Sequence, residues 1–223
     1  GVKTLSGYYL KHESCDKDHQ SCRIDEFIVR KQDYIACDYT VEGDYSSASY
    51  LLALVAINGG KAVVRNLFRD SKQGDKFILD ILQHMGATVI RGEDYVEIAS
   101  NGDLKAIDVN LSNAPDLLIT VAVLAAMAEG TTHIRGVAHA RVKETDRIDT
   151  TCRELEKLGC KIEEHEDGMS ITGGVTSGRV DSHGDHRLAM AFSLIGLKHD
   201  IEITNGDVFD VSFPNFIEAM AEL

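Results

Sequence analysis

The sequence contains no tryptophan, only two prolines and a deficit of cations, with 23 Lys plus Arg against 36 Asp plus Glu and a net charge of −13. Polyanionic partners require a basic footprint, so nucleic acid and anionic membrane surfaces are excluded as partners. The five cysteines (Cys15, Cys22, Cys37, Cys152 and Cys160) are an odd number with no C-x-x-C spacing. That excludes a disulfide framework and a structural zinc site, and it fits a reducing cytoplasm. Apolar runs of about 18 residues are lacking, as is a basic-then-apolar leader, so neither a membrane span nor a cleaved segment is predicted. Nine histidines form no H-E-x-x-H. Neither G-x-x-x-x-G-K-[ST] nor G-x-G-x-x-G occurs, which removes the common nucleotide cradles. What is present is 43% apolar and 26% charged residues over 223 positions, enough for a globular core without staples.

Residues 1–41 read as short strands, Leu5 to Leu10 and Ile24 to Val29 around a polar loop (Lys11 to Ser21), with a further strand over Tyr34 to Tyr39. Gly1-Val2 runs at once into strand-like residues, as if the chain were joined in mid-architecture. From Glu42 an internal repeat takes over. Its marker is a helix apolar nearly all round, at Tyr50 to Ile57, Leu117 to Met127 and Leu188 to Ile195. A helix without a polar face must be surrounded by protein. Each follows a polar turn, and Pro115 suits a first helical position. After the first two come a glycine and a short β run (Ala62 to Arg65, Thr131 to Arg135), then an amphipathic helix. Phe77, Ile78, Ile81, Leu82 and Met85 form one stripe, and Ile148, Cys152, Leu155 and Leu158 the other. Gly86 and Gly159 fit C′ positions before a strand and hairpin. A third copy runs from Asp181 through Ile201 to Thr204 to a last helix, Pro214 to Leu223, with Phe216, Ile217, Met220 and Leu223 apolar. The predicted fold is α/β, three βαβαββ units over 42–223, with buried apolar helices inside and sheets outside.

The densest polar cluster is Arg141-Val-Lys-Glu-Thr-Asp-Arg147, predicted at the start of the second amphipathic helix. There Lys143 and Arg147 would be i,i+4 neighbours, with Glu144 i,i+3 from Arg147. Cations at a helix start run against ordinary design, so an anion site is one reading. A solvated turn with weak local ion pairs is the other. Asp185-His186-Arg187 precedes the third buried helix, where Asp185 is either a plain N-cap or part of an anion-facing site. Asp116 opens the second buried helix, as a dipole partner or a general base. The repeat puts 116, 143 and 186 at corresponding helix starts, where they can share one end of the domain.

Arg141 to Arg147, Glu154-Leu-Glu-Lys-Leu-Gly159, Gly184-Asp-His-Arg-Leu-Ala-Met-Ala191 and Ser212-Phe-Pro-Asn-Phe216 occur in that order. Together with Val41 to Tyr50 and Asn113-Ala-Pro-Asp116, they closely resemble the 5-enolpyruvylshikimate-3-phosphate synthase family (3-phosphoshikimate 1-carboxyvinyltransferases) over residues 40–223. The resemblance implies an inside-out α/β barrel of the enolpyruvyl transferase type. It also implies transfer of the enolpyruvyl group of phosphoenolpyruvate to the 5-hydroxyl of shikimate 3-phosphate, with release of phosphate and without metal or organic cofactor. Asp116 would match the base that takes the hydroxyl proton, Lys143 the lysine that hydrogen-bonds that hydroxyl, and Glu144 the acid that exchanges protons at the methylene. Arg147 and Arg187 would match the arginines holding phosphoenolpyruvate, with His186 beside them at the departing phosphate. His139 falls near shikimate 3-phosphate, along with Asp116 and Lys143. Arg141 would add its charge to Lys143, Arg147 and Arg187 where the two phosphorylated substrates sit.

The sequence departs from the family in two respects. Val211 stands where a basic residue that touches phosphoenolpyruvate is common. The family has two domains of three such units, so residues 1–41 resemble the tail of a preceding domain and Val41 to Asp44 a crossover. The chain alone is then a C-terminal portion with little turnover, and the missing domain is its partner. Two other readings are a UDP-N-acetylglucosamine enolpyruvyl transferase, which shares fold and donor, and a non-catalytic repeat domain that binds a protein partner.

Overall fold

A computed structural model describes residues 8–12, 24–29, 33 and 35–222. Residues 5–7 of the first expected strand, most of its polar loop, Tyr34 and Leu223 lie outside the described residues. The chain divides into two compact units, Gly1–Val41 and Glu42–Leu223. In the first, β1 (Tyr8–His12) pairs antiparallel with β2 (Ile24–Val29), Tyr8 opposite Val29, and Lys11 and His12 belong to the strand rather than the loop. Residues 35–39 form no strand, and Ile35 and Tyr39 are exposed. A β-rich run becomes a strand only where a ladder partner is on offer, and no described strand pairs with it.

The second unit holds one sheet per copy of the repeat. The first copy runs α1 (Tyr45–Asn58), β3 (Gly60–Arg65), α2 (Ile78–His84), β4 (Thr88–Arg91) and β5 (Tyr95–Ser100), in sheet order β3-β5-β4. The second runs β6 (Asp108–Asn110), α3 (Leu118–Ala126), β7 (Thr131–Arg135), α4 (Arg147–Lys157), β8 (Lys161–His165) and β9 (Gly168–Thr172), in order β6-β7-β9-β8. The third runs β10 (Gly178–Asp181), α5 (His186–Ile195), β11 (Ile201–Thr204) and α6 (Phe216–Ala221). In the copies with a leading strand, it pairs parallel with the strand after the apolar helix. Only the middle copy is a full βαβαββ. Among the described residues the first lacks a leading strand and the third lacks the closing hairpin, because the apolar helices that revealed the period do not count strands.

Helices α1, α3 and α5 pack on one another at the centre. All nine residues of α3 are buried, and each fully buried Leu, Ile or Phe contributes about 1.5–3 kcal/mol of transfer free energy. Where α1 meets α3, Ser49 and Thr120 form a small polar pair whose hydroxyls lie 3.4 Å apart. The sheets cover this core. Strand β7 buries Thr132 and Ile134 and exposes Thr131, His133 and Arg135, the period-2 pattern of a half-buried strand. The second-copy stripe is buried throughout, but in the first Phe77 is exposed, because it closes a 3₁₀ turn (Gly74–Phe77) ahead of a helix only seven residues long. Gly86 and Gly159 take φ of 109° and 92°, the left-handed C′ geometry that stops each amphipathic helix. Helix α6 starts at Phe216 rather than Pro214. Its anchor is Phe216, whose ring centroid lies 5.3 Å from that of Phe209 and, edge-on, 5.5 Å from that of Phe213, whereas Ile217 faces solvent. Cys152 and Cys160 are free, buried thiols that burial pushes up to about 12 and about 11. Among the described residues no helix is long and apolar enough to cross a membrane.

Leu124 is fully buried and Val63 is exposed on β3. Leu124→Ala should therefore cost about 2–5 kcal/mol by urea denaturation, and Val63→Ala no more than about 0.5 kcal/mol.

Candidate functional site

Three helix starts converge. Asp185 caps α5, its carboxylate accepting the Arg187 backbone N–H at 2.9 Å. Asp146 caps α4, accepting from Ile148 and Asp149 N–H groups at 3.1 and 3.0 Å. A 3₁₀ turn (Pro115–Leu117), with Pro115 at its first position, leads into α3 and carries Asp116. The expected helical spacing in the 141–147 run is not observed. Residues Ala138–Val142 are 3₁₀, Lys143 is extended, and α4 begins only at Arg147, because Asp146 takes the cap. Lys143 and Arg147 meet instead through Asp116.

Arg147 is the hub. Only 1% exposed, its guanidinium spans the Asp185 carboxylate, Nε to Oδ2 at 2.8 Å and the second terminal nitrogen to Oδ1 at 3.3 Å. The same nitrogen reaches Glu144 at 2.6 Å, and the other donates to Asp116 Oδ1 at 3.2 Å. Lys143 Nζ also lies 3.4 Å from Asp116 Oδ1, and the Arg187 guanidinium 3.4 Å from Oδ2. Three cations and three carboxylates therefore cancel, so the cluster holds no excess positive charge. Arg141 contributes nothing to it. Its guanidinium binds Asp146 at 2.9 Å, Glu164 at 2.8 Å and the carbonyls of His165 and Glu166, tying the 3₁₀ turn to the β8–β9 hairpin.

Burial works to raise the Asp116 pKa, but Arg187, Lys143 and Arg147 outweigh it and hold the carboxyl below its ordinary value. His186 is buried, and that burial lowers its pKa, keeping the ring neutral at pH 7. His139 is exposed on its 3₁₀ turn, with no hydrogen bond or ion pair among the described residues.

Two buried carboxylates carry more of the site than the sequence suggested. Glu154 sits on the Arg147 face of α4, seven residues on, with its side chain 1% exposed. It accepts the Asp181 backbone N–H at 2.9 Å, His183 Nε2 at 2.8 Å and Lys157 Nζ at 2.7 Å. These bonds fasten the loop that delivers Asp185, His186 and Arg187, including His183 in a left-handed conformation with φ of 53°. The i,i+7 spacing from Arg147 was the available signal. Asp75 is the second. Buried at the first copy's 3₁₀ turn, it accepts the Ser46 hydroxyl, and burial raises its pKa. A partly open cavity of about 180 Å³ lined by Tyr45, Arg69, Lys76 and Arg91 shares no residue with the cluster.

The EPSP synthase family (3-phosphoshikimate 1-carboxyvinyltransferase) matches residues 25–220. A 3-phosphoshikimate 1-carboxyvinyltransferase of Methanobrevibacter smithii is 70% identical over the whole chain, which spans 51% of that relative. Its counterpart in Methanothermobacter thermautotrophicus is 59% identical over 197 residues, 88% of this chain and 47% of the relative. A solved EPSP synthase from Acinetobacter baumannii is 32% identical, superposes with a TM-score of 0.71 and covers 82% of this chain and 46% of its own. The chain thus spans about half the length of the relatives it matches.

Asp185→Ala leaves a buried guanidinium with its main partner gone and should cost about 3–5 kcal/mol, whereas Glu144→Ala, at a half-exposed position, should cost under about 1 kcal/mol by the same denaturant titration. Glu154 is raised by burial but lowered further by Lys157 and His183, so its folded pKa is depressed. Its stabilisation is therefore full above the unfolded value of about 4.3 and lost as pH falls through the folded one. The stability gap between the parent and Glu154→Gln should be constant near pH 7 and close progressively below about pH 4.

Proposed function

The chain belongs to the EPSP synthase family, and we propose from that premise that its cluster serves enolpyruvyl transfer from phosphoenolpyruvate to the 5-hydroxyl of shikimate 3-phosphate, a step of aromatic amino-acid biosynthesis. The observation that supports this reading best is the partly exposed Asp116 carboxylate held between Lys143, Arg147 and Arg187. In this reading the hydroxyl oxygen bonds to the enol carbon of phosphoenolpyruvate while its proton passes to Asp116 and the methylene carbon gains a proton. The adduct then loses a methyl proton, re-forming the double bond as phosphate departs. Lys143 and Arg187 hold Asp116 only at 3.4 Å. An anionic substrate that draws them away raises the proton affinity of Asp116 at the moment it is needed as base.

The other residues take complementary parts. Glu144, half-exposed beside Arg147, is placed to exchange protons at the methylene carbon. Arg187 grips phosphoenolpyruvate with a planar fork. Arg147 belongs to the same contact, yet its Nε and one terminal nitrogen are held by Asp185 and its other contacts go to Asp116 and Glu144, so substrate reaches it in competition with those carboxylates. Neutral His186 hydrogen-bonds the departing phosphate. His139 joins Asp116 and Lys143 at shikimate 3-phosphate. Val211, exposed, supplies no cation, which leaves Arg187 the main grip on the phosphate.

Residues 42–223 form one three-copy domain of this enzyme and residues 1–41 the tail of the other, whose cleft face is the natural partner. The free thiols fit the cytoplasm. Phosphate release from both substrates tests the reading. The chain alone should turn over at less than about a thousandth of its rate when joined to the amino-terminal half of the Methanobrevibacter smithii relative. In the joined protein Asp116→Asn should lower kcat about 10²–10⁴-fold. Turnover by the chain alone at the usual enzyme scale of about 1–10³ per second would refute the half-site reading.

A further inference from the structure

The partly open cavity of about 180 Å³ lies in the first copy of the repeat, between the start of α1 and the β4–β5 hairpin. It is well below the roughly 300–1,000 Å³ of a drug-sized ligand's cleft, which suits a small ion and excludes a nucleotide. Nine residues line it, three of them the cations Arg69, Lys76 and Arg91 and none of them acidic. That is a local reversal in a chain where acids outnumber cations 36 to 23. The fold gathers the three from separate places. Arg69 stands on the loop after β3, Lys76 on the 3₁₀ turn before α2, and Arg91 at the end of β4. Buried Leu67 and Leu79 form the apolar wall. At the hairpin, a Cβ on Gly92 would lie 2.2 Å from the Tyr95 ring, so the glycine is what allows that ring to close the cavity's edge.

Little of this charge is used within the chain. Lys76 Nζ gives two of its three donors to the carbonyls of Arg69 and Ser71, at 3.1 and 2.9 Å, which pins the loop between them and leaves one donor over. Arg91 commits one terminal nitrogen to Asp80 and Gln83, both at 2.8 Å, leaving Nε and the other terminal nitrogen. The Arg69 guanidinium has no hydrogen bond or ion pair among the described residues. Asp80 is therefore the one carboxylate paired with any of the three, whereas in the Asp116 cluster three carboxylates answer three cations. Three cations less one carboxylate leave two positive charges, the number that a phosphate dianion neutralises. We propose that this cavity binds a small tetrahedral dianion, either free phosphate or the phosphate of a small phosphomonoester. The uncommitted edge of Arg91 and the third donor of Lys76 form its fixed side, and the unpaired Arg69 fork folds over it from the exposed side. This site is separate from the reaction proposed above and does not rest on it.

Calorimetric titration of the chain with inorganic phosphate and, separately, with glycerol 3-phosphate at low salt tests it. An Arg187→Ala background removes the main grip of the other cluster, so the cavity is read by itself. There Arg69→Gln should weaken phosphate binding about tenfold or more. Because Arg69 is exposed and unpaired, the Tm without ligand should not change. The same loss should appear with Arg187 intact, as expected of independent sites. Parent-like phosphate affinity in Arg69→Gln would overturn the proposal. So would disappearance of all phosphate binding in Arg187→Ala alone, which would assign the bound anion to the Asp116 cluster, or absence of binding by the parent. Acetate at equal ionic strength competing as well as phosphate would also overturn it, by showing charge attraction without a shaped site. Glycerol 3-phosphate binding that depends on Arg69 supports the site with a phosphomonoester as ligand, and binding of inorganic phosphate alone supports it with free phosphate.

Discussion

The Arg147 guanidinium is where the second unit's three helix starts are joined. It spans the carboxylate that caps α5, reaches the aspartate that leads into α3, and itself opens α4. A cation this buried is tolerable only with its partners in place, since the interior repays desolvation through good geometry alone. Asp185, with no exposed surface, meets that demand twice over by capping a helix with one oxygen and holding the guanidinium with both. The positions of Asp116, Glu144 and Arg187 then follow from the same contact. The site is assembled by the fold's own structural ion pair rather than laid onto a finished scaffold.

That dependence runs down into the core. Beyond their first turns helices α1, α3 and α5 carry few polar side chains, so their relative depth is set by packing and by what their ends can bind. Glu154 supplies a second fastening below Arg147 on the same face of α4, and it bonds the turn that ends in Asp185. With both holds on one rigid helix, the loop of residues 181–185 has little freedom although it contains two glycine-like turns, at His183 and Gly184.

Much of this was legible in the sequence. Three nearly all-apolar runs at 50–57, 117–127 and 188–195 revealed the buried helices, because a helix with no polar face has only one environment available to it. Asp116, Lys143, Glu144, Arg147 and Arg187 do share one place, though by a route the spacing misrepresented. Lys143 lies before the helix, not within it, since Asp146 captures the cap and strands the preceding residues outside. Arg141, counted as part of the charge concentration, is spent on a hairpin. Local charge density says which residues are near one another in sequence, and only tertiary pairing says which neutralise each other. The same reason hides Asp185 as the main partner of Arg147, because it is not unusual until its neighbours are known. Ile35 and Tyr39 show the limit for strands, where propensity without a ladder partner yields none.

The neutrality of the cluster bears on how a ligand must enter it. With three carboxylates already serving three cations, a phosphate or carboxylate bound in the proposed reaction would arrive as a competing counter-ion, and binding would be ion exchange within a fixed lattice. Affinity then measures the difference between two pairings rather than the strength of either, so tight individual contacts coexist with modest overall holding. Arg187 and Lys143, at their longer separations, are the exchangeable positions, and Arg147 is the fixed one. In the proposed reaction each departing anion would find the displaced carboxylate beside it, ready to reoccupy its place, so release would be built into the resting state.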